Sequence, residues 1–154
     1  MNQDARRNLE DLLDREIEAA RLLSTTLAAE RGALTGTSPE SVQEKAAEKI
    51  QLLDMLERLE RERQAVCAQT GLDVSGNAGD ANAPKAGGMV SERWRSLMEL
   101  MAGCRAANEV NGYIIHVRQN QVRQLMDILR GTTPVTYGPQ GKTFARALRA
   151  LARA

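Results

Sequence analysis

The sequence predicts an all-α protein: a long antiparallel helical hairpin, a third long helix, and a flexible C-terminal tail ending in a short amphipathic helix. Three observations carry this. Aromatic residues are only 3% of the 154-residue chain, while hydrophobic residues reach 42%. Such a core is built from Leu, Ala, Ile, Val and Met, which suits helix-on-helix packing better than a sandwich or barrel. Apolar residues recur at spacings of three and four over three long stretches. Glycine and proline cluster between those stretches rather than within them.

The first helix is expected over residues 3–35. Leu9, Leu13, Ile17, Ala20, Leu23, Leu27 and Leu34 form one stripe on a 3.6-residue period. Gly36-Thr37-Ser38-Pro39 then breaks the chain, with Ser38 suited to cap the next helix and Pro39 to occupy its first position. The second helix is expected over residues 39–70, with Val42, Ala46, Ile50, Leu53, Leu56, Leu59 and Val66 facing one way. The charged residues between them, including Lys49 and Arg63, read as a solvated face, as do Glu16 and Glu18 on the first helix. Gly71 suits a C-terminal cap. The short turn at 36–38 makes the first two helices an antiparallel hairpin.

Residues 71–90 are rich in Gly, Asn and Asp and show no period, so they read as a flexible linker. It either carries the chain back along the hairpin or lets the third helix dock freely. Ser91 is the expected cap of that helix, which runs over residues 91–130. Trp94, Leu97, Met101, Cys104, Asn108, Asn111, Ile115, Arg118, Val122, Leu125 and Leu129 alternate spacings of three and four, a heptad seam. Asn108 and Asn111 are polar seam positions, and Gly112 follows directly. One reading has the asparagines fixing the register of the three helices. The other has them clamping a helix irregularity or a partner's backbone, with Gly112 allowing close approach.

The bundle therefore spans residues 1–130, followed by a tail at 131–154. Residues 1–71 carry 10 basic and 14 acidic side chains, whereas the tail carries Lys142, Arg146, Arg149 and Arg153 and no acid. Gly and Pro keep 131–142 extended, with Tyr137 its one large aromatic. From Thr143 the helical pattern returns. Phe144, Leu148 and Leu151 lie at i, i+4 and i+7, opposite the arginines. A segment this short is marginal alone in water, so it docks on the body or folds on a partner.

Catalytic and cofactor chemistry is missing from this pattern. His116 is the single histidine and has Tyr113 three residues before it, so a Glu-x-x-His di-iron site is excluded. Zinc spacing, a phosphate loop, a nucleophile elbow and a dinucleotide fingerprint are all missing. Cys104 and His116 are about 18 Å apart along one helix, too far for a nucleophile–base pair. Cys67 and Cys104 read as free thiols of a reducing cytoplasm. The expectation is a non-enzyme with no cofactor, metal or catalytic residue. The start of the chain has no apolar run of a signal peptide, and no stretch approaches the ~20 apolar residues that span a bilayer. A net charge of +1 points to no nucleic-acid partner.

Three motifs fall in one order. The second helix holds Glu48-Lys49-x-x-Leu52-Leu53-x-x-Leu56-x-x-Leu59-x-x-x-Arg63. The third holds Asn108-x-x-Asn111-Gly112-x-Ile114-Ile115, and the tail Thr136-Tyr137-Gly138-x-x-Gly141. With the helix order and size, the chain resembles the flagellar type III export chaperones of the FlgN family. The resemblance covers nearly the whole chain. It implies a cytoplasmic, non-enzymatic chaperone. Such a protein binds the hook–filament junction proteins FlgK and FlgL, keeps them unassembled, and delivers them to the export gate at the inner membrane. Phe144, Leu148 and Leu151 are then the candidate client-binding stripe, because an amphipathic client segment needs a complementary apolar surface. Tyr137 is a candidate peg for the export gate, or else folds back on the body. Two other readings share the fold: a coiled-coil adaptor without a secretion role, and a membrane-surface binder using the basic tail. Three apolar side chains provide little insertion, so stable membrane insertion is not expected. The oligomeric state is open at this level.

Overall fold

The computed structural model describes residues 3–72, 74 and 87–131. It consists of three α-helices: α1 (Gln3–Thr35), α2 (Pro39–Thr70) and α3 (Gly88–Leu129). The described residues form an all-α bundle, as the periodicity requires. No described helix is long and apolar enough to cross a membrane.

The turn between α1 and α2 follows the local chemistry. Ser38 has extended backbone, φ −98° and ψ 105°, and its Oγ accepts from Ser41 N–H at 3.4 Å. Pro39, with no N–H to satisfy, opens the helix. Gly71 closes α2 with φ +70°, a left-handed conformation that costs glycine little.

Cross-helix bonds give the directions. Arg63 meets Glu16, and Lys49 meets Glu30, so α1 and α2 are antiparallel. Arg93 meets Asp14, Cys104 Sγ meets Ala20 O, and Asn111 meets Leu27 O, so α3 runs parallel to α1. The topology is up–down–up. Consequently α3 starts at the end where α2 stops, and the choice between retracing the hairpin and docking freely does not arise. The described ends of the segment expected as a linker belong to the folded body. Val74 is buried, and Arg63 Nη1 donates to its carbonyl at 2.9 Å. At the other side α3 begins at Gly88, so Ser91 lies inside the helix rather than capping it. The N-cap is Gly87, with no side-chain capping bond.

α1 is the middle of the assembly. It packs against both other helices and buries twelve residues, against three in α2 and five in α3. Its apolar stripe Leu9, Leu13, Ile17 and Ala20 joins Val90, Trp94 and Leu97 of α3 in one cluster. A second face, Leu12, Ala19, Leu23 and Leu27, meets Leu56 and Leu59 of α2 and Cys104 of α3. All seven residues of the predicted α1 stripe are buried.

The α2 stripe differs from the expectation. Ile50 and Leu53 are 58% and 44% exposed. The packed line runs instead through Lys49, Leu52, Leu56, Leu59, Arg63 and Val66, an alternation of three and four that an unbroken 3.6-residue period prefers. Two members of that line are charged. Apolar residues alone therefore drew the stripe one position off, and placed Lys49 and Arg63 wrongly on the solvated face.

Candidate functional site

Two parts of the molecule depart from a plain helical bundle: a ladder of buried polar groups between the helices, and the free end of α3.

The ladder has two rungs. In the first, Arg63 Nε donates to both Glu16 carboxylate oxygens, at 2.9 and 3.2 Å. The guanidinium also lies over the Trp94 ring, 4.6 Å from its centroid, so one arginine ties together α2, α1 and α3. Glu16 is 2% exposed and Arg63 5%. Glu16 is thus no surface charge, contrary to its reading from sequence. Its pKa is raised, because burial disfavours the charged carboxylate more than the Arg63 charge and hydrogen bonds favour it.

In the second rung, Lys49 Nζ donates to Glu30 Oε1 at 2.8 Å and to Asn108 Oδ1 at 3.2 Å. Asn111 Nδ2 donates to Glu30 Oε2 at 2.8 Å and to Leu27 O at 2.9 Å, and Arg31 Nε donates to Asn111 Oδ1 at 3.1 Å. Glu30 and Asn111 are essentially fully buried. The two asparagines predicted as polar seam positions are therefore brought together with a lysine and a glutamate. Asn108 is the exposed end of the group and Asn111 its buried centre; Gly112, next along, is half-buried in α3. Glu16 and Glu30 were not singled out from sequence, and Lys49 and Arg63 entered only as members of the α2 motif, with no buried role. The available signal was their place on the packed lines, Glu16 and Glu30 on Leu12–Glu16–Ala19–Leu23–Thr26–Glu30, Arg63 on Leu56–Leu59–Arg63.

The charged groups of the ladder are paired within the bundle. Every strong partner of its charged groups is another group of the chain. Among the described residues no cluster of His, Cys, Asp and Glu could hold a metal ion. His116 is half-buried and shares a 3.2 Å contact with Asn120. Cys104 is buried, which pushes its thiol pKa up and away from a reactive thiolate; both cysteines are free.

The free end of α3 is the candidate interaction surface. The α1–α2 hairpin turns at Gly36, and Arg118 Nη2 donates to Gly36 O at 3.4 Å. Beyond Arg118, α3 continues to Leu129, about 16 Å at 1.5 Å per residue. The helix ends in the left-handed Gly131, φ +67°, where Gly131 N–H donates to Ile128 O at 3.1 Å. The heptad seam continues along this overhang although the hairpin does not. Val122, Leu125 and Leu129 are 59%, 60% and 81% exposed, against 0% for Asn111 within the bundle. Together with Met126 they occupy about 100° of the helix surface, the width of a packing face. They were predicted as packed seam residues and are instead an apolar face without cover from the described residues. Arg123, Asp127 and Arg130 lie on one flank, and Gln121 and Gln124 on the other.

The sequence-predicted Tyr137, Phe144, Leu148 and Leu151 lie outside the described residues. In sequence they come after the end of α3.

Comparisons with curated proteins and with solved structures return no match. The FlgN protein family matches residues 1–144, through α1, the hairpin, α3 and into the tail. That span includes all three motifs of the sequence reading. The chain belongs to the FlgN protein family and is a flagellar export chaperone.

Proposed function

We propose that this chaperone works in the cytoplasm on hook–filament junction proteins of the FlgK and FlgL type, keeping them unassembled and delivering them to the export gate at the inner membrane. The observation that supports this reading best is the exposed apolar end of α3, Val122–Leu125–Leu129, running straight into the tail. A protein that holds an aggregation-prone segment needs an apolar surface that its own fold leaves open. The charge ladder keeps the helices in one register and so holds that surface at a fixed place.

The tail then contributes the Phe144, Leu148 and Leu151 stripe to client capture, and Tyr137 contacts the gate. Deleting residues 132–154 is expected to abolish pull-down of FlgK and FlgL while the helical circular dichroism signal per residue stays close to that of the full chain. Capture that survives the deletion sinks the tail's role. Tyr137→Ala is expected to leave capture intact and to stop export; loss of capture would place Tyr137 on the client side instead.

A further inference from the structure

The overhang has a chemistry of its own. From residue 118 to the end of the chain there are seven basic residues and one acid, Asp127. Residues 1–71 carry the opposite imbalance, 10 basic against 14 acidic. The apolar face Val122–Leu125–Met126–Leu129 thus sits at the start of the basic end of the molecule, with Arg123 and Arg130 exposed along its edge.

We propose that this face binds an acidic amphipathic helix: a partner segment with an apolar stripe at helical spacing and glutamates or aspartates along its borders. The proposal rests on the export-chaperone reading and specifies which kind of client segment the α3 overhang accepts. Length fits first. The stripe from Val122 to Leu129 covers two turns, about 10 Å, which matches an i, i+3, i+4, i+7 set on a partner helix. Sign decides the rest. The other two available occupants are the same face of a second copy and the chain's own 143–154 segment. Both bring more arginine to a surface that already holds Arg118, Arg123 and Arg130. Like charges at a small interface disfavour the pairing, whereas an acidic border gains steering and contact energy. The face presents four large apolar side chains, few beside the ~20–30 residues a side of a standard interface, which suits a releasable contact.

The test uses the full chain and two synthetic peptides about 20 residues long, helical and ~30 Å when folded. Both carry leucines at i, i+3, i+4 and i+7; one has glutamates on the other positions and its twin has lysines. Fluorescence anisotropy is expected to show the acidic peptide binding at least about tenfold more tightly than the basic one, with the gap closing as salt rises from ~0.05 M to ~0.5 M. V122Q with L125Q, both neutral and exposed, is expected to weaken the acidic peptide about tenfold at unchanged thermal stability. R123Q with R130Q is expected to weaken it less and to flatten its salt dependence. Equal binding of the two peptides overturns the proposal, and so does full affinity in V122Q/L125Q. Tighter peptide binding after removal of 132–154 assigns the face to the tail, and a dimer dispersed by L125Q assigns it to a second copy; either result also overturns it. FlgK and FlgL capture by V122Q/L125Q separates the two levels: capture intact with peptide binding lost leaves the export reading standing and removes the overhang from it.

Discussion

The bundle buries charges and the overhang exposes leucines, and both lie on one continuous pattern. At Glu16–Arg63 and Glu30–Lys49 the positions that face the core are ionic, and they are covered. At Val122, Leu125 and Leu129 the positions on the α3 seam are apolar, and they are open. The difference shows that a periodic seam determines which side chains share a face, while neighbouring length determines whether the face is covered. α3 has 42 residues against 33 and 32 in the hairpin, and the surplus is the overhang.

The largest break in this comparison comes from splitting the buried pair. Arg63→Ala is expected to cost about 3–5 kcal/mol in a urea titration, because it leaves the Glu16 carboxyl buried without its partner. The loss includes the Val74 carbonyl bond and the stacking on Trp94. Replacing both members together, Glu16→Met with Arg63→Met, is expected to recover most of that loss. If the double replacement is as unstable as the single one, the pair contributes net stability of its own and not merely mutual neutralisation.

Asn111 comes next. Asn111→Leu removes the donor to Leu27 O and Glu30 Oε2 and the acceptor for Arg31, and is expected to cost about 1–3 kcal/mol, since buried acceptors lose a partner. A second readout addresses register. If the asparagine selects one alignment of α3 along α1, the variant broadens the amide spectrum or populates a second species. A sharp single spectrum with reduced stability assigns Asn111 an energetic role alone.

Much of the fold was legible. The α1 stripe, the Ser38–Pro39 start of α2, the Gly71 cap and the α3 seam follow from local chemistry and spacing. The illegible parts share one cause: pattern reading treats charge as outside and leucine as inside. Arg63 and Lys49 sit at packing positions of α2, and their stems and partners hide them, so Ile50 and Leu53 were assigned inward in their place. Of the candidate site, the residues of the overhang stripe were found, but as core. The turn at Gly36 was legible; what sequence withheld was that it lies level with Arg118, well before α3 ends. The unequal helix lengths held that information, and periodicity within one helix could not express it.

The smallest expected effect is the sharpest test of the contrast. Leu13 and Leu125 each lie on the apolar stripe of their own helix, yet Leu13 is fully buried where α1 meets α3 while Leu125 is 60% exposed. Leu13→Ala removes buried methyl groups and leaves a cavity, for about 2–5 kcal/mol. Leu125→Ala gives up little burial, and alanine is the better helix former, so the stability change should fall within ~0.5 kcal/mol of zero. The same variant should nonetheless weaken capture of FlgK and FlgL, because the side chain's contribution is made to a partner and not to the fold. A stability loss above ~1 kcal/mol at Leu125 would mean that the chain covers its own overhang in solution, beyond the ±0.5 kcal/mol usual at exposed sites. In that case the leucines would belong to the core, and the difference between the two regions would disappear.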